Sequence, residues 1–394
     1  MKVQTGRGSI PLIILISIFS ISALNALPGL AVSPILGDLS KIFPNATDLD
    51  IQMLSSLPSL LIIPFILLSG KLTEKVNNFV LLQAGLGLFA LSGILYLLST
   101  KMWELILISA LLGIGSGLMV PLSTGLISRY FVGTYRTKQF GYSSAITNMT
   151  LVLATSLTGY LAEVSWRLPF VVYLFPIVSI FLSMSLKSEI SLPYKAEVTQ
   201  TSTDAALGKR GIDVKALVRW MSYYGLTTFL VIIISFNLPF LMEDYGFSSG
   251  SSGIMISLFF LAIMAPGFAL NRIVDFLGKR VNSICLLVIA LGMALIVVSR
   301  SELLIALGCI LNGLAYGVIQ PLVYDKTSSV AVPQKVTLAL AFVMAMNYVA
   351  ILICPFIIDA AQSLMHVKGH QFAFGFNMAI ALIAWFVIRR SNKM

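Results

Sequence analysis

Three polar side chains recur at every fourth position of one apolar run: Asn312, Tyr316 and Gln320, with Tyr324 and Asp325 following. Steps of four keep side chains on one face of a helix. Amides and phenols donate and accept hydrogen bonds without carrying charge. Such a stripe can recognise a neutral ligand. Further neutral polar residues lie inside other apolar runs. Tyr223, Thr227 and Asn237 fall within about 40° of one another at 100° per residue. Asn25, Asn148 and Asn347, each in a further run, complete the list. The candidate lining of a cavity is therefore Asn25, Asn148, Tyr223, Asn237, Asn312, Tyr316, Gln320 and Asn347. Polar groups at membrane depth usually face a bundle interior or a water-filled path. The competing role is an interhelical hydrogen bond worth about 0.6 kcal/mol.

Other chemistry finds few residues to work with. Cys285, Cys309 and Cys354 all fall inside apolar runs, with no spacing for a metal or a disulfide framework. His366 and His370 sit four apart in a short polar segment, which reads as a solvated loop. No nucleophile–base arrangement is visible, so neither an enzyme nor a cofactor or metal is expected. Met119, Met149, Met344 and Met346 add adaptable apolar surface. An anionic ligand would instead call for buried Arg or Lys.

The elements that must position these residues are membrane helices. Of 394 residues, 58% are hydrophobic and 11% charged, with mean hydropathy +0.94. Soluble proteins carry about 25% charged residues. Twelve runs approach the roughly 20 residues that cross a bilayer: 9–32, 51–70, 78–99, 103–128, 140–162, 168–186, 217–241, 252–270, 281–299, 303–324, 336–360 and 371–388. Their uniform apolarity excludes a barrel, whose strands alternate. The first run is longer than a signal-peptide core and reads as a span. The expected class is an all-α polytopic membrane protein.

With the N-terminus inside, all but five of the 26 Lys and Arg fall on the inner side; the exceptions are Lys41, Lys101, Arg167, Arg300 and Lys368. The positive-inside rule then makes both termini cytoplasmic. That bias accounts for the net charge of +10 without nucleic acid. No acid lies mid-span. Proton coupling would have to use acids nearer the ends, such as Glu163, Glu243, Asp244 and Asp359. Asn45-Ala46-Thr47 is a glycosylation sequon in an outer loop.

Shifting the chain by 200 places Gly113, Gly117 and Pro121 over Gly313, Gly317 and Pro321. Near the same shift Asn148 meets Asn347, and Glu74 meets Asp275. The repeat implies two pseudo-symmetric six-helix bundles, 1–186 and 217–394, joined by a polar linker, 187–216. Glycines four apart share a face and let helices approach closely.

Two loop segments stand at equivalent places, Gly70-Lys71-Leu72-Thr73-Glu74-Lys75-Val76-Asn77-Asn78 and Asn271-Arg272-Ile273-Val274-Asp275-Phe276-Leu277-Gly278-Lys279-Arg280. Both resemble the G-x-L-A-D-R-x-G-R-K loop signature of the major facilitator superfamily. The first copy lacks the second glycine and the basic pair; the second lacks the leading glycine. The resemblance implies a carrier working by alternating access. It also implies a latch of the inner side at Glu74, Asp275, Lys279 and Arg280. Trp166-Arg167-Leu168-Pro169-Phe170 resembles a W-R-x-x-F segment of bacterial drug-exporter relatives, and Ala26-Leu27-Pro28-Gly29-Leu30-Ala31-Val32-Ser33-Pro34 resembles their first span loosely. The arginine that many proton-driven members carry before the first motif glycine is Ser109 here. The G-P-x-x-G-G of drug–proton antiporters is reduced to Gly159. The expectation is a monomeric exporter in the plasma (inner) membrane, moving a small neutral or amphipathic molecule, with protons as a candidate coupling ion. The alternatives are uptake of a neutral nutrient and a non-transporting sensor.

Overall fold

The computed structural model describes residues 2–28, 42–44, 46, 48–187, 211–247, 249–367 and 369–391. Linker residues 188–210, residues 29–34 of the first-span motif, and Asn45 and Thr47 of the sequon lie outside them, as do the side chains of Gly159, Glu163 and Glu243.

The helices follow the apolar runs. They are α1 (Leu12–Ala23), α2 (Asp48–Leu72), α3 (Asn78–Leu98), α4 (Met102–Tyr130), α5 (Gly133–Val164) and α6 (Pro176–Ser183), then α7 (Val214–Asp244), α8 (Ser249–Met264), α9 (Val281–Val298), α10 (Glu302–Ser329), α11 (Val336–Met365) and α12 (Gln371–Ser391). Among the described residues, ten spans are long and apolar enough to cross a membrane, with Leu12–Ala23 and Ser56–Leu72 as shorter apolar stretches. Helix α1 stops well inside its apolar run, and Asn25 lies in the turn that follows.

Buried apolar side chains form two clusters. One is built from α1–α6 with Ala341, Met344 and Ala345 of α11. The other comes from the second half, with Tyr224, Tyr316 and Phe374 among its members. The repeated glycines explain how each half packs. A Cβ on Gly113 would lie 2.7 Å from the Pro58 carbonyl oxygen, and one on Gly117 2.6 Å from Phe65 Cβ. On Gly313 and Gly317 it would run into the Phe259 and Ile263 carbonyls. So α4 sits backbone-close on α2, and α10 sits equally close on α8. Gly317→Val should cost about 1–3 kcal/mol through overpacking. It should lower the melting temperature in detergent, whereas Gly87→Ala, with open space around it, should not.

The loop signatures show their local physics. Asn77 accepts a hydrogen bond from the Phe79 amide at 2.8 Å and caps α3. Gly278 ends a short helix, Leu270–Leu277, at φ +53, a conformation that suits glycine.

One feature falls outside the all-α expectation. A hairpin pairs β1 (Lys2–Gln4) with β2 (Ser9–Pro11), and the Val132 amide donates to the Thr5 carbonyl at 3.0 Å. The second half repeats the arrangement: the Val332 amide donates to the Gly211 carbonyl at 2.9 Å, and the Asp213 amide to Val330 at 2.9 Å. Val132 and Val332 are equivalent under the 200-residue shift. In each half the segment before the first helix is pinned to the turn after the fourth.

Candidate binding site between the two halves

Helices α7, α10 and α11 bring their polar groups together. Thr228 Oγ1 donates to Asn347 Oδ1 at 2.8 Å, and the Tyr316 hydroxyl donates to the same oxygen at 3.0 Å. The Tyr224 ring stacks on Tyr316, centroids 6.1 Å apart and planes 9° from parallel. Its hydroxyl accepts from Gln320 Nε2 at 3.1 Å and lies 3.0 Å from the Tyr324 hydroxyl. Gln320 Oε1 accepts from Ser144 Oγ of α5 at 2.7 Å, which carries the network into the first half. Phe140 of α5 meets the Tyr324 ring edge-on at 6.0 Å. Every side chain in this network is neutral. Hydrogen bonds that hold one another in a low-dielectric interior fix the groups' positions.

Of the sequence candidates, Tyr316, Gln320 and Asn347 meet in this network. Asn148 sits beside it, its amide donating to the Ser144 carbonyl at 2.8 Å. Asn312 does not join. It donates to the Gly308 carbonyl at 2.8 Å and packs on Gly292 of α9. Each step of four on a helix advances about 40°, so the stripe turns away from α9 as it descends. Tyr223 points to α9 as well, donating to the Asn282 carbonyl at 3.3 Å. Asn25 pairs with Ser123 of α4 at 3.0 Å. Asn237 is half-buried and makes no side-chain hydrogen bond among the described residues.

Sequence reading missed Tyr224, Thr228 and Ser144. Adjacent residues point about 100° apart, so Tyr223 and Tyr224 cannot share a face. Tyr224 and Thr228 have the same four-residue spacing as the α10 stripe, and that was the available signal.

Just beyond the network, Arg136 of α5 reaches across to α10. Its Nε donates to Asp325 Oδ1 at 2.8 Å, and its Nη2 to Ser329 Oγ at 2.8 Å and to the Asp325 carbonyl at 3.3 Å. The two side chains are 15% and 10% exposed. Nearby, Ser128 and Ser328, equivalent in the repeat, meet hydroxyl to hydroxyl at 2.5 Å. Gly141 of α5 and Gly267, in the 3-10 turn Ala265–Phe268 that follows α8, come into backbone contact, and Gly70 and Gly125 meet Ala341 and Thr337 of α11. Asn271 donates to the Thr134 carbonyl at 2.9 Å. These contacts all lie from the network to the end that carries the α4–α5 and α10–α11 turns. Glu74 and Asp275 are exposed there, and neither side chain carries a hydrogen bond or ion pair among the described residues; Lys279 and Arg280 are exposed too. Toward the opposite end, Asp244 pairs with His370 at 2.8 Å, and Asp359 is exposed. No cluster of metal-ligating side chains occurs among the described residues.

The profile of the Major Facilitator Superfamily matches residues 12–355 and, a second time, 216–393. The chain belongs to this superfamily. It is a multi-pass membrane protein. Its fold is similar to that of the human organic anion transporter MFSD10 (TETRAN), with TM-score 0.74 at 18% identity over 96% of this chain and 98% of that one. It is equally similar to the proton:xylose symporter XylE, with TM-score 0.74 at 15% identity over 96% and 95%. In sequence, 115 residues are 33% identical to the quinolone resistance protein NorA of Staphylococcus aureus, covering 29% of each chain. A stretch of 162 residues is 26% identical to the multidrug transporter protein MdtP of Bacillus subtilis, covering 41% of this chain. The chain thus spans 29% of the length of these curated relatives.

Proposed function

We propose that this superfamily member exports a small neutral or amphipathic molecule across the plasma membrane by alternating access. The observation that carries this reading is the uncharged amide–phenol network where α5 meets α7, α10 and α11. It offers donors, acceptors and aromatic faces, and its members carry no cation to hold an anionic solute. The family resemblance and the names of the two sequence relatives, a quinolone resistance protein and a multidrug transporter, support export. The two halves, 1–186 and 217–394, would rock about the network as bodies joined by 187–216. The positive-inside bias puts both termini and the clasped end in the cytoplasm. In that orientation this is a conformation closed to the cytoplasm, held by Arg136–Asp325. Glu74, Asp275, Lys279 and Arg280 would act as a surface latch at the same end.

A second reading, uptake of a neutral nutrient, is favoured by the hydroxyl- and amide-rich network and by the sugar symporter among the structural neighbours. Direction decides between them. In oriented vesicles loaded with a panel of neutral and lipophilic compounds, export predicts saturable flux from the basic-end side. Saturable flux only in the opposite direction would establish uptake, and repeating it with and without a pH gradient tests proton coupling. No saturable flux of any compound would leave the sensor reading.

A further inference from the structure

A strongly basic surface lies away from the interface between the halves, where α9 and α12 pack side by side. Gln371 at the start of α12 donates to the Val297 carbonyl at the end of α9, so the two helices run antiparallel. Stepping about 1.5 Å per residue down each helix brings Val281 level with Val387. Arg280 and Arg389 and Arg390 therefore project from one end of one helix pair, with Lys279 beside them. All four are exposed. Across 270–281 and 383–391 the only carboxylate is Asp275.

The surface is also apolar in a particular way. Phe276 is 89% exposed, Ile383 65%, Val387 59% and Phe386 49%. The Arg389 guanidinium stands over Trp385 at 5.1 Å, and that of Arg390 over Phe386 at 4.4 Å. Stacked this way, each guanidinium keeps its in-plane N–H fork free to grip a phosphate. An aromatic shelf beneath a cluster of cations fits a molecule with acyl chains and an anionic head.

We propose that the basic end of the α9–α12 pair docks an anionic phospholipid. Its phosphate lies among Arg280, Arg389 and Arg390, and its acyl chains lie along Ile383, Phe386 and Val387. A soluble phosphate ester has no use for the apolar shelf, so the surface commits to a lipid. A cation near a membrane surface attracts anionic lipid by about fivefold each.

The test is native mass spectrometry of the full chain released from nanodiscs of mixed phosphatidylcholine and phosphatidylglycerol. The wild type should retain phosphatidylglycerol adducts. The triple variant Arg280→Gln, Arg389→Gln, Arg390→Gln should lose them by about a hundredfold in affinity. A control that removes the same charge elsewhere at this end, Lys71→Gln, Lys75→Gln, Lys215→Gln, should retain them. Equal loss in both variants would mean a general charge effect and overturn the proposal, as would full retention in the triple. Competition by millimolar inorganic phosphate would also overturn it, by showing a phosphate site with no lipid requirement. Should the triple variant fail to fold, Arg280→Gln alone and the pair Arg389→Gln, Arg390→Gln provide the same readout.

Discussion

Asp325→Asn is expected to open the basic end of the carrier. The substitution leaves Arg136 with the Ser329 hydroxyl and a carbonyl in place of a carboxylate. Breaking a fully buried pair by removing one partner costs about 3–5 kcal/mol. With 15% and 10% of the side chains exposed, about 2 kcal/mol is a fair discount. That shifts the ratio of closed to open forms by about thirtyfold. The readout is a cysteine at Ser328, which is buried where the halves meet, labelled by an impermeant thiol reagent. The three native cysteines are buried and stay silent. Labelling from the basic side should rise sharply in Asp325→Asn and in Arg136→Gln. The swap Arg136→Asp with Asp325→Arg should bring it part of the way back. Asp275→Asn, which removes a carboxylate of the proposed surface latch, should raise it too, but by less than breaking the buried pair. If all the single variants label like the parent, the ion pair is an ornament of the closed form and not its clasp.

The second large effect belongs to Asn347. Its amide oxygen accepts from both Thr228 and Tyr316. The Thr228 and Tyr316 hydroxyls lie 2.9 Å apart, so one can donate to the other, and leucine at 347 strands the remaining hydroxyl proton, at about 1–3 kcal/mol when buried without a partner. A cargo seated on the network should bind at least tenfold more weakly to Asn347→Leu. Gln320→Leu, which severs the link from Ser144 to Tyr224, should act in the same direction. Asn312→Ala and Tyr223→Phe should leave cargo affinity alone, because those side chains face α9. Asn312→Ala should still lower the melting temperature, since its side chain fills the space beside Gly292. Binding by thermal shift and by flux separates these outcomes. Equal losses at Asn312 and Asn347 would remove the distinction between network and packing.

The helices were easy to see in the sequence because lipid leaves few choices. Backbone groups must be satisfied within each span, so a run of apolar residues reports its own boundaries. The repeat was visible through Gly113/Gly313 and Gly117/Gly317 because backbone-close packing tolerates almost nothing else. The site was harder. Periodicity says which residues share a face, but not which neighbour that face meets. Tyr223 and Asn312 lie on polar faces as sound as those of Tyr224 and Tyr316, yet they look toward α9. Arg136 was counted as an inner-side cation and Asp325 as the end of a stripe. Their pairing depends on two halves meeting across 189 residues of chain, which no local pattern encodes. Of the hairpin at Lys2–Pro11, only the second strand falls in the first apolar run and the first precedes it; three-residue strands leave no periodicity to read.

The pinned segments bear on how the molecule could move and how it could be divided. The chain enters each half bonded to that half's own fourth-to-fifth helix turn, at Val132 and at Val332. No bond of either anchor spans the moving interface, so neither has to break when the halves separate. The covalent join then contributes proximity, a local concentration of one half near the other. Shape recognition between the halves rests on the surfaces themselves: the Ser128–Ser328 contact, the Gly141–Gly267 crossing and the Arg136–Asp325 pair. Two polypeptides cut between 188 and 210 would each keep their own anchor, and would still carry every contact needed to find one another in the bilayer.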